Sequence, residues 1–338
     1  MTNPLNGFTI DKKQIRFIGD GLQRPECILA ERDGTLWSAD ARGGVVRIAP
    51  DGSQQIVTQT YQHKFEAARS EEERWTKGTL PNGLAFARNG DILISNFGTD
   101  CLEVMTRTGA TRVLYDTLDG EPIGKVNFVL RDSRDRIWIT ISTMVQNWMA
   151  AVSPKIKDGR ILLLDGRGLR TVGEGFHFTN EIRLDAREEW LYIAETCGRR
   201  VSRMRVGADG SLSAREIFGP ADTGGFVDGI AFDAFGNLWG THVMSDQLFA
   251  ITPNGDLRIL LDDGNAAASH ALFDAFERDA AKPEHMLACG GTIAPWMASV
   301  TFGGPDLRTA YLGSLRGTRI PFFRSPVAGL PMVHWNER

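Results

Sequence analysis

A chain of 338 residues is long enough for one large closed domain or for two ordinary ones, and 42% apolar with 24% charged residues is the composition of a globular protein. A net charge of −4 with no basic cluster argues against nucleic acid as a partner. No apolar run approaches the roughly 20 residues of a spanning helix, and Met1–Ile10 lacks a basic stretch followed by an apolar core. Cys27, Cys101, Cys197 and Cys289 lie too far apart for zinc-site spacing, so the expectation is a cytoplasmic protein with free thiols and no membrane partner.

The chain opens with a strand-like stretch, Phe8 to Ile18. Residues 28–57 then alternate apolar and polar positions, turn at Asp33-Gly34, reach Leu36-Trp37, and turn again at Pro50-Asp-Gly52. Alternation broken by such turns marks a four-stranded meander. The unit returns at residues 84–97, 126–142, 182–195, 230–261 and 299–314, with Trp37, Leu93, Trp138, Tyr192, Trp239 and Tyr311 as second-strand markers. Six repeats that cannot each bury both faces predict an all-β, six-bladed propeller occupying residues 1–338 as one domain, with Phe8–Ile18 completing the last blade. Helical content is expected to be low, with Glu66–Arg74 and Ala266–Ala280 the best candidates. Ser153–Gly159 reads as a loop inside a blade.

Three long segments interrupt the repeat: Gln59–Leu80, Thr143–Gly159 and Gly264–Pro295. A meander returns to its starting face after its second and fourth strands, so all three belong on the face where the innermost strands begin. Loops gathered on a rigid scaffold commonly carry binding. Phe65, Trp75, Met144, Trp148, Met149, Trp296 and Met297 are candidates to wall a pocket there. Packing of the loops onto the scaffold explains any one of them equally well.

Eleven residues before Trp37, Leu93, Trp138 and Trp239 stand Glu26, Asn82, Asn127 and Asp228; twelve before Tyr192 stands Asn180, and Ser299 lies at a similar offset in the sixth unit. Innermost strands line a propeller's central channel, so these residues should converge on its axis. Asn and Asp are common before strands as turn formers. Five acceptor-rich residues at one register point instead to a hard divalent cation such as calcium. Asn82 is the weakest candidate ligand and is expected to contact substrate or a water instead.

The stretches Arg24-Pro-Glu26, Pro81-Asn-Gly83, Gly124-Lys-Val-Asn127 with Asp132, Phe178-Thr-Asn180, Val227-Asp-Gly229 and Gly303-Gly-Pro-Asp306 resemble the senescence-marker-protein (regucalcin-like)/gluconolactonase family over essentially the whole chain. The resemblance implies a divalent metal (calcium, zinc, manganese or iron by member) with ligands at Glu26, Asn180 and Asp228, a further amide ligand at Asn127 by likeness to the paraoxonases and the diisopropyl-fluorophosphatase type, and hydrolysis of a small-molecule lactone. The chain departs from sugar-lactone members in carrying Lys125 where Arg is frequent, and in its bulky insertions.

The expected activity is lactone opening on a Lewis-acidic cation, with Asp228 both ligand and general base. Asn82, Lys125, Thr143, Trp148 and His242 are expected at the substrate; for His242 a surface position is the plainer reading. A related esterase or phosphotriesterase, a calcium- or ligand-binding propeller without turnover, and a metal-free strictosidine-synthase-like propeller are the alternatives. No Gly-x-Ser-x-Gly elbow and no Gly-x-Gly-x-x-Gly phosphate turn is present.

Overall fold

The computed structural model describes residues 2–60, 75–76 and 78–337. Phe65 and the helix expected over Glu66–Arg74 lie outside the described residues.

Six four-stranded antiparallel sheets form in chain order. The first four blades are β2–β5 (Ile28–Ala30, Leu36–Asp40, Gly44–Ile48, Gln54–Thr58), β6–β9 (Pro81–Phe86, Ile92–Asn96, Cys101–Met105, Thr111–Tyr115), β12–β15 (Val126–Arg131, Ile137–Ile141, Gly159–Asp165, Gly168–Phe176) and β16–β19 (Thr179–Leu184, Trp190–Glu195, Arg200–Arg205, Glu216–Phe218). The fifth is β20–β23 (Phe226–Phe232, Leu238–Val243, Gln247–Ile251, Leu257–Asp262). The sixth joins β24–β26 (Met297–Gly303, Thr309–Ser314, Ile320–Arg324) to β1 (Arg16–Ile18) from the start of the chain. A two-stranded hairpin, β10 (Thr117–Leu118) with β11 (Glu121–Pro122), follows blade two. Neighbouring inner strands touch around the whole circle, from β2 through β6, β12, β16, β20 and β24 back to β2. The fold is a six-bladed β-propeller.

The tryptophans that mark the second strands fasten each inner hairpin. Trp138 Nε1 donates to Asp132 (2.9 Å), Trp239 Nε1 to Asp233 (2.9 Å) and Trp37 Nε1 to Glu31 (2.6 Å). Asp132 and Asp233 also accept the turn's backbone N–H groups, from Arg134 and Arg136 in one and Phe235, Gly236 and Asn237 in the other. One acid thus closes the turn and orients the indole, which is why Trp recurs. The indoles are fully buried among apolar side chains.

Residues 143–159 and 264–295 lie together at one end, with Trp75 packed among them. The 143–159 loop carries a 3-10 turn at Trp148–Ala151, and the segment after blade five forms α1 (Ala266–Glu277) and α2 (Pro283–Leu287). Asn265 caps α1 by accepting from Ala268 N–H. Trp75, Trp148, Met149, Leu272, Phe276, Met286 and Trp296 share one apolar cluster, joined by Trp148 Nε1–H to Trp75 O (2.6 Å) and Ser153 Oγ–H to Asp279 (2.6 Å). At the other end residues 326–337 cross the channel mouth. Leu330 N–H donates to Phe232 O, His334 Nε2 to Ala30 O (2.9 Å), and Glu337 pairs with Arg131.

Candidate metal centre

The residues at the channel axis are aimed by a repeated irregularity. Pairing of the inner strand with its neighbour shifts between Pro81 and Leu84, Val126 and Phe128, Thr179 and Ile182, and Val227 and Ile230. Asn82, Asn127, Asn180 and Asp228 sit inside these shifts, where a bulge re-aims a side chain out of strict alternation. Glu26 occupies the matching place just before β2. The next inner strand passes close by: a Cβ on Gly83 would come within 2.6 Å of Phe128 Cα, and one on Gly229 within 2.4 Å of Ala298 O. Only glycine permits that approach.

These five side chains line one cavity together with Arg24 and Thr196. Asn82 is fully engaged. Its amide nitrogen donates to Glu26 Oε1 (3.2 Å) and Asn127 O (3.0 Å), and its oxygen accepts from Arg24 (2.5 Å). Asn180 Nδ2 donates to Thr196 Oγ1 (3.1 Å), whose hydroxyl donates to Val227 O (2.7 Å), and the Asn180 side chain also hydrogen-bonds Asp228.

Glu26 Oε2, Asn127 Oδ1 and Asn180 Oδ1 are buried without any partner. Each such orphan costs about 1–3 kcal/mol if nothing satisfies it. Burial pushes the Glu26 and Asp228 carboxyls up from the usual range; Arg24 opposes the rise in both, Glu181 adds to it in both, and Glu26 raises Asp228 further. Beneath them Glu181, also raised by burial, is paired with Arg183 at 2.8 Å. Two buried carboxylates with three unsatisfied oxygens fit a hard divalent cation, which is matched to carboxylate and amide oxygen. Among the described residues no three His, Cys, Asp or Glu side chains cluster with metal-holding geometry, so the amides are needed.

Of the other residues expected at substrate, Trp148 lines the cavity, with its ring edge-on to Phe97 (6.0 Å) and Phe178 (6.3 Å). The remaining three are corrected. Lys125 is buried and ion-paired with Asp100 at 2.9 Å over the Phe97 ring, off the cavity surface. Thr143 Oγ1 donates to Asp158 (2.9 Å) and is fully buried. His242 is neither at the cavity nor on the surface: it is buried, bonded to Gln247 and Thr223, and stacked on Phe249. Ser299 Oγ donates to Glu26 O.

Arg24 is the functional side chain that sequence reasoning passed over. Its backbone is left-handed (φ 58°), as at Phe178 (60°) and Met244 (70°), and all three line the cavity. The signal was present in Arg24-Pro-Glu26, a cation two residues before a ring carboxylate.

Fold and cavity together define a propeller with an oxygen-ringed axial site. The family profile described as SMP-30/Gluconolactonase/LRE-like region matches residues 57–270, and the chain belongs to this family. A gluconolactonase of Xanthomonas campestris superposes with TM-score 0.64 at 15% identity, covering 93% of this chain and 89% of that one. Regucalcin of Agrobacterium tumefaciens, described as a calcium-binding protein, superposes with TM-score 0.65 at 14% identity, covering 93% and 95%. A protein of Arabidopsis thaliana named strictosidine synthase-like 4 is 23% identical over 231 residues, 66% of this chain; the chain spans 58% of that relative's length.

Proposed function

We propose that the protein is a metal-dependent lactonase, with Glu26, Asn127, Asn180 and Asp228 holding one divalent cation of the calcium type. The observation that carries this reading is the trio of buried, unpartnered oxygens on Glu26, Asn127 and Asn180, gathered from three blades. Membership of a family described by gluconolactonase supports the reaction class. When bound, the cation supplies Lewis-acid polarisation of the ester carbonyl.

The chain's own residues do the rest. Asn82 fixes the Glu26 carboxylate, and Asn180 orients Asp228 through their hydrogen bond. Asp228 takes a proton from water as the water oxygen bonds to the carbonyl carbon. The ring C–O bond then breaks, and that proton returns to the departing oxygen, leaving a hydroxy acid. Arg24, beside Glu26 and Asp228, places a positive charge where the carboxylate product forms. The reading assigns the enzyme to the cytoplasm, supported by four free, buried cysteines.

Protein stripped with chelator is expected to lose lactone turnover and regain it with added Ca²⁺. Asp228→Asn should lower kcat by about 10³-fold. Ca²⁺ should raise the melting temperature of the wild type but not of Glu26→Gln. Chelator-resistant turnover, or full activity in Asp228→Asn, contradicts the assignment. The name of the Agrobacterium neighbour favours a second reading, a calcium-binding propeller without turnover. That reading predicts the thermal shift without hydrolysis.

A further inference from the structure

The cavity has two unlike zones. Among the described residues, every polar side chain on its surface belongs to the floor: Arg24, the five ring residues and Thr196. Above them the wall that the described residues form is apolar: Phe97, Trp148, Phe178, Phe226, Met244 and Leu315, with Val152 and Val243. The one polar atom in that wall, Trp148 Nε1, is spent on Trp75 O. The three polar groups best placed in sequence to read a hydroxyl are committed elsewhere: Lys125 to Asp100, Thr143 to Asp158, and His242 to Gln247 and Thr223. Phe178 and Met244 hold backbone angles that L residues rarely adopt, and both still present their side chains to the cavity.

From these observations we infer that the substrate is a cyclic ester bearing an alkyl or aryl substituent, and not a polyhydroxylated sugar lactone. This rests on the lactonase reading and sharpens it. An ester carbonyl needs only the floor. The substituent leaves water for an aromatic wall, which is favourable. A sugar lactone would bury its ring hydroxyls against that wall with no partner, at about tenfold or more in affinity for each.

The test pairs turnover with binding. The Ca²⁺-loaded full chain is given a 5-alkyl-δ-lactone and an aldono-δ-lactone of the same ring size. Binding of unreactive analogues, 4-butylcyclohexanone and a polyhydroxylated cyclohexanone, is measured by calorimetry. The expected kcat/KM ratio is at least 100 in favour of the alkyl lactone, and only the alkyl ketone should bind. Trp148→Ala should weaken that binding at least fivefold. Should Trp148→Ala fail to fold, Leu315→Asn, at a half-buried wall position, is expected to do the same. Equal or faster turnover of the aldonolactone, or equal binding of the polyol ketone, overturns the inference while leaving the lactonase intact. Selective binding of the alkyl ketone with no turnover of either lactone keeps the ligand class and removes the lactonase reading.

Discussion

An imidazole sealed among blades four and five has only one comfortable charge state. His242 Nδ1 contacts Gln247 Oε1 and Nε2 contacts Thr223 Oγ1, both at 3.0 Å, with the ring 4.4 Å from Phe249. Gly225 presses on it so closely that a Cβ there would fall 2.5 Å from the ring. Burial pushes its pKa down to about 4, against a lesser upward pull from Gln247; Arg199 lowers it further, while Asp222 and Asp262 raise it. A depressed folded-state value means that stability is present above the unfolded pKa near 6.5 and is lost as pH falls towards 4. The loss by pH 4 should be about 3 kcal/mol. Urea unfolding of wild type and His242→Gln at pH 7 and pH 4 checks this: the variant should show the shallower fall. Parallel falls would mean that His242 titrates as a free histidine does. Sequence placed His242 at the correct end of the correct strand. What it lacked was the direction of the side chain. His242 pairs with Val227, and paired residues share a face, so it points with Val227 into the blade interface, opposite to Asp228. The ring residues escaped this ambiguity because an offset of eleven from the second-strand markers recurs in four blades, and one of twelve in a fifth whose turn is a residue longer.

The segment between blades five and six shows how a long insertion is held without a sheet of its own. Asp246 accepts backbone N–H groups from Gly291 (2.5 Å), Trp296 (3.2 Å) and Met297 (2.8 Å), and Asp263 accepts from Thr292 (2.6 Å) and Ile293 (2.7 Å). Two carboxylates at the β21–β22 turn and the end of β23 thus pin the chain as it returns from α2 to β24. Removing the first leaves three buried or half-buried donors without an acceptor. Asp246→Ala should therefore cost about 3 kcal/mol or more, read as a lower urea midpoint. It should also speed protease cleavage within 264–295. A loss below about 1 kcal/mol would show that the helices dock through their apolar face alone, by Leu272 and Phe276. At this scale the sequence carried the six units, the helix from Ala266 and the gathering of residues 143–159 and 264–295 on one face; most of the 59–80 insertion lies outside the described residues. The bulges were not legible. They arise where the inner strand must both pair with its neighbour and turn a side chain to the axis, and no single residue type encodes that. The Asp246 anchor was equally hidden, because its partners are backbone groups about fifty residues away.

Closure of the ring depends on segments that the repeat itself does not contain. The strand expected over Phe8–Ile18 is shorter than the sequence suggested: only Arg16–Ile18 pairs, opposite Ile320–Phe322, after a 3-10 turn at Lys12–Gln14. What precedes it works by packing. Leu5 and Ile15 are buried in the apolar core of blades five and six, and Ile10 N–H donates to Leu260 O (2.9 Å). The start of the chain thus ties blade five to blade six as well as completing the latter. Residues 326–337 do the complementary work across the far mouth, and nothing in their composition announced it. Blade repeats reveal themselves by periodicity, whereas a single crossing segment has none. Two buried aliphatic side chains contribute about 2 kcal/mol each, so a variant lacking residues 2–18 should lose about 4 kcal/mol and melt roughly 6 °C lower. If the strand merely decorates a ring already closed by β24–β26, calorimetry would find the melting temperature nearly unchanged. In the proposed metal centre, Glu26 of blade one and Asp228 of blade five flank the sixth blade. Opening that blade should therefore weaken Ca²⁺ affinity even though no residue of the metal centre is removed.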